Sequence, residues 1–152
     1  MQTINDLCVS NVMAKQLKEL GFDEPCIAIF KGDNEFPTAV DQLWGMGVSG
    51  ICSRSGYKIY EDECLAPMFE QVRDWLREEH NIHIAITSSA DLIDEDPVHF
   101  IPNGKYEGTL DDVLKKDMYF SDTLQLTPTS DTHKEALIKA IEESIKLIKN
   151  RK

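Results

Sequence analysis

Leu65 to Ile86 reads LAPMFEQVRDWLREEHNIHIAI, and the spacing of its apolar residues changes once along its length. Met68, Phe69, Val72, Trp75 and Leu76 recur at intervals of three and four, which places them on one stripe of a helix. Glu70, Arg73, Asp74, Arg77 and Glu78 fall mostly on the opposite, solvated side. Pro67 suits the first turn, where its missing N–H has no intrahelical partner. The spacing therefore predicts a helix of about four turns from Pro67 to His80, with Asn81 supplying a left-handed end and His80 facing the negative end of the dipole. Beyond Asn81 the period drops to two: Ile82, Ile84 and Ile86 alternate with His83, Ala85 and Thr87, as in a strand. A helix joined so tightly to a strand is expected to bury the Trp75 stripe against a sheet face.

On the N-terminal side, Ser10 can cap a helix to Leu20 with Val12, Met13, Leu17 and Leu20 on its apolar face, and Gly21 and Pro25 end it. Cys26 to Phe30 is apolar on both faces, the pattern of a covered central strand. Pro37 to Trp44 has the spacing of a short helix. Val48 to Cys52 and Tyr57 to Tyr60 read as a hairpin around Ser55 and Gly56.

On the C-terminal side, Val98 to Ile101 reads as a strand, and Asn103-Gly104 as a turn returning through Tyr106. Thr109 and Asp112 have capping-box spacing before Val113 and Leu114, which suits the start of a short helix, and Thr123 to Thr127 alternates like a strand with one wet face, Leu124 and Leu126 opposite Thr123, Gln125 and Thr127. Thr132 and Glu135 form a clearer capping box. It opens a helix whose apolar face carries Leu137, Ile138, Ala140, Ile141, Ile145 and Ile148. The expected fold is α+β, with three main helices near Asn11 to Leu20, Pro67 to His80 and His133 to Lys149. They would pack on a small mixed or antiparallel sheet of about five strands, with residues 1–152 as a single globular domain.

The runs GFDEPCIAIF, LAPMFEQVRDWLREEHNIHI and EALIKAIEESIKLI resemble a family of small uncharacterised proteins from phages, prophages and mobile elements of gut bacteria. Members share an amphipathic N-terminal helix, a helix ending in a Trp-aromatic-Arg-acidic-Lys-His pattern, and a C-terminal helix rich in Ala, Leu and Ile. Here Leu76 stands in place of the aromatic and Glu79 in place of the Lys, and Pro97 to Thr129 is particular to this chain. The resemblance covers about half of the sequence and brings no catalytic residues with it.

The formal charge is −11, and it is unevenly placed. Asp91 to Asp122 holds nine acids against three lysines, whereas Lys134 to Lys152 holds six bases against three acids. A chain this acidic is poorly suited to direct nucleic-acid binding, whose affinity comes largely from basic contacts to phosphate. Solvated surface charge accounts for the acids, although they could also meet a basic surface. No run of apolar residues is long enough for a membrane span, and Met1 to Ser10 lacks the pattern of a signal peptide. The expectation is a cytoplasmic protein in which Cys8, Cys26, Cys52 and Cys64 are buried thiols.

Several motifs approach a known chemistry and then depart from it. Gly45, Gly47 and Gly50 have dinucleotide-binding spacing, but strand and turn residues follow where a helix is needed. Gly47 to Ile51 falls one glycine short of a nucleophile elbow. Cys52, Cys64, His80 and His83 are zinc-ligand types without the paired spacing of a structural site. The acidic loop at Asp91 to Asp96 lacks the positions of a calcium loop, with Ile93, Asp96 and Pro102 where oxygen, glycine and glutamate belong. Cys64 lies near the start of the central helix, where a thiol can be acidified. His80 would be about 20 Å away along that helix, so only His83 or His99 could serve as its partner.

These readings assign no catalytic residue, metal or cofactor. They favour a noncatalytic accessory protein that binds a host protein or a small molecule. The alternatives are a small enzyme using Cys64 with His83 or His99, and a structural oligomerising protein.

Overall fold

Helix ends in this chain follow local capping chemistry. Ser10 Oγ accepts the Met13 backbone N–H at 3.3 Å, Thr132 Oγ1 accepts that of Glu135 at 3.1 Å, and each satisfies a donor that the first helical turn leaves open. In the computed structural model the chain is described at residues 3–39, 60–88, 105–112 and 125–151, with Asp111, Asp112, Gln125 and Leu126 described by backbone alone. The helices there are α1 (Ile4–Leu7), α2 (Asn11–Glu19), α3 (Phe69–His80) and α4 (His133–Arg151). The strands are β1 (Ala28–Lys31), β2 (Thr38–Ala39), β3 (Glu63–Leu65), β4 (Ile82–Ser88), β5 (Tyr106–Asp112) and β6 (Gln125–Leu126). The fold class is α+β.

The chain divides into two compact units, Met1–Val72 and Arg73–Lys152. In the first, β1 is the middle strand of an antiparallel sheet ordered β2-β1-β3, with Phe30 opposite Cys64 and Ile29 opposite Thr38. Ala28, Ile29 and Phe30 are all buried, as the two-sided apolar pattern requires, whereas Ile27 just before the strand is exposed. α2 lies against β3 and buries Met13, Ala14 and Leu17. It ends at Gly21, whose φ of +94° suits a residue without a side chain.

In the second unit β4, β5 and β6 form another antiparallel sheet in that order, with Ile84 opposite Leu110 and Ile86 opposite Gly108. α4 packs across β4 and β5 and buries Leu137, Ile141, Ile145 and Ile148. Trp75 and Leu76 of α3 are buried, and Asn81 carries the expected left-handed conformation at φ 54°. Arg151 Nη1 donates to the His80 carbonyl at 3.1 Å, a cation at the C-terminal end of α3.

Four expectations need correction. The single sheet is two three-stranded sheets among the described residues, because β2 and β3 occupy both edges of β1 and β4 finds its partner later in the chain. Thr38 and Ala39 are strand, so Pro37 to Trp44 is not one helix; pairing with β1 overrides the short apolar period. Thr109 to Asp112 is likewise strand and not the start of a helix. Thr127, assigned to a wet face, is buried, because its hydroxyl is satisfied by both backbone groups of Gly108.

α3 also begins two residues later than Pro67. The Pro67 carbonyl accepts from Val9 N–H at 3.0 Å, and Met68 bridges to Cys8. Val48 to Cys52, Tyr57 to Ile59, Val98 to Ile101 and Asn103-Gly104 lie outside the described residues.

Candidate functional site

The first unit holds a turn to which three separated segments are tied. Asn11, at the first position of α2, sends its side-chain amide to the carbonyls of Gly32 at 3.0 Å and Asn34 at 2.7 Å. Gly32 makes the turn with φ +56°, a left-handed conformation that costs little without Cβ. Its N–H donates to the Asp62 carbonyl at 2.7 Å, which brings in the segment before β3. Two lysines of α2 add to the clamp. Lys15 pairs with Asp33 at 2.5 Å, and Lys18 donates to the carbonyls of Glu61 at 3.4 Å and Glu63 at 3.0 Å. Lys15 also holds the Asp33 carboxyl below its usual range, first through the hydrogen bond and then through its charge.

This construction leaves apolar side chains in water. Val12 adjoins Asn11, Phe36 follows Asn34 by two residues and Tyr60 precedes Asp62 by two; they are 71%, 63% and 59% exposed. All the large apolar side chains exposed among the described residues, these with Leu7 and Ile27, belong to the first unit. Scattered singly they would need no explanation; three on segments held to one turn make the neighbourhood of that turn the candidate contact region. Phe and Tyr supply large contact area at low conformational cost, which is why they anchor protein interfaces. On the two loop segments Asp33, Glu35, Glu61 and Asp62 are exposed as well.

The sequence pattern did not single out this face. Val12 stands about 100° around α2 from Met13 and about 140° from Leu17, off the stripe they share, and it is exposed. A lone Phe36 directly after the polar run Gly32 to Glu35 was the available signal, since nothing in its own segment could bury it.

The residues considered from sequence fare differently. Cys64 is buried in β3, paired in register with Phe30, and so lacks the exposure that a reactive thiolate needs. Its partner candidate His83 is exposed on β4 in the second unit, and His99 lies outside the described residues. Cys52, Gly45, Gly47, Gly50 and Asp91 to Asp96 lie outside them as well. No group of three or more His, Cys, Asp and Glu among the described residues could hold a metal.

Cys8, Cys26 and Cys64 are buried thiols. Cys8 donates to the Ala66 carbonyl at 3.5 Å, and burial pushes its pKa from the ordinary 9.0 to about 11. The folded chain therefore keeps this proton where the unfolded chain has lost it. Stability from this group is complete below pH 9.0 and declines as the pH climbs toward about 11. Thiol labelling at pH 8 should leave Cys8 unmodified until denaturant is added, and Cys8→Ala should flatten the alkaline decline. Rapid labelling of Cys8 in the folded protein would contradict its burial.

Comparison with protein-family models, with curated proteins and with solved structures finds no match to this chain. The resemblance to phage and mobile-element proteins rests on the quoted motifs alone.

Proposed function

We propose that this chain is a noncatalytic accessory protein of a phage or mobile element, working in the cytoplasm by binding a host protein. The observation that carries the reading is the exposure of Val12, Phe36 and Tyr60 on segments tied by hydrogen bonds to the Gly32 turn. An interface anchored on a preformed turn avoids much of the ordering cost of a flexible loop. The three long helices serve in this reading as scaffold laid on the sheets, and the contact is made at loops and at the exposed start of α2. No helix among the described residues is long and apolar enough to cross a membrane, which agrees with a contact made in water.

The test compares the full chain with Phe36→Ser/Tyr60→Ser, each immobilised, cross-linked in bacterial lysate and identified by mass spectrometry. Both should melt alike, because surface substitutions of this kind usually change stability within about 0.5 kcal/mol. At least one protein should be retained by the native chain and lost from the variant. Identical retention by both would set the reading aside. So would a native dimer that the same substitutions dissolve, since the face would then serve self-association.

A further inference from the structure

We draw no further inference here: the strongest candidate, the N-terminal turn of α4 with the Lys105 and Lys139 side chains and the buried Ser130 hydroxyl near it, carries no ligand site, because Lys105 already pairs with Asp131, Lys139 donates to the Thr129 carbonyl at 3.2 Å, and nothing in the structure turns the Ser130 hydroxyl toward an open surface.

Discussion

Trp75→Ala should cost about 3 to 5 kcal/mol, the range for deleting a large aromatic from a core. The indole is 6% exposed, and its ring meets that of His80 edge-on with centroids 4.5 Å apart. Such a pair adds about 0.5 to 1.5 kcal/mol to what area burial alone provides. The truncation leaves a cavity and also strips the His80 ring of this edge-on contact, so partial collapse should not recover the loss. A smaller penalty is expected for Trp75→Phe, which keeps an aromatic edge and most of the volume. Denaturant melts with unchanged slope and a lowered midpoint are the expected readout. An unchanged midpoint for Trp75→Ala would mean that the residue is not part of a core.

Gly108→Val should be comparably damaging for the opposite reason, which is too much volume. A Cβ at Gly108 would stand 2.8 Å from Thr127 Oγ1, 3.0 Å from Ala140 Cβ and 3.4 Å from the Ala136 carbonyl. None of these can give way cheaply. The Thr127 hydroxyl accepts the Gly108 N–H at 3.0 Å and donates to the Gly108 carbonyl at 3.3 Å, so moving it breaks both bonds in a buried place. Ala136 and Ala140 belong to α4, whose other side chains fix its seat on the sheet. Overpacking of this kind costs about 1 to 3 kcal/mol, with Gly108→Ala near the lower figure and Gly108→Val at or beyond the upper.

Thr127→Ala in the Gly108→Ala background removes the closest contact. It should therefore cost less than in the native background, a coupling that a double-mutant cycle measures. Additive losses would show that the two sites do not clash. Gly21→Ala makes a useful contrast, since a Cβ there meets nothing within 4 Å and its cost arises from the φ of +94° alone.

Much of the helical structure was legible because its signals are local. Ser10, Thr132, Gly21 and Asn81 mark helix ends through atoms three or four residues away, and the windows they bound carry their own period. Strands were legible where the period was long and uninterrupted, as in Ile82 to Ile86. They were missed where the segment was short: Glu63 to Leu65 is too brief to carry an alternation, and its strand identity comes from pairing with Lys31, Phe30 and Ile29. Thr109 to Asp112 failed in the opposite sense. A capping-box spacing was present, but seven pairings with β4 outweigh one local cap.

The candidate face shows the same division. Phe36 and Tyr60 are separated by more than twenty residues of chain, so no window of sequence contains both. The link between them runs from Asn34 through the Asn11 amide to Gly32, and on to Asp62. Val12 was grouped with Met13 and Leu17, but its spacing of one and five residues from them already sets it off their stripe, and the structure leaves it exposed.

By itself the sequence determined the α+β class, the capped ends of the helices, the buried place of Trp75 and the acidity that disfavours a nucleic-acid partner. These follow from residue type and from contacts within one turn or one strand, which chain connectivity guarantees. Only the tertiary structure decided that the strands form two sheets, that Gly108 is a point of close packing, and that Phe36 and Tyr60 remain in water. Each depends on which distant segments meet, and that is set by competition among many pairings of similar local merit.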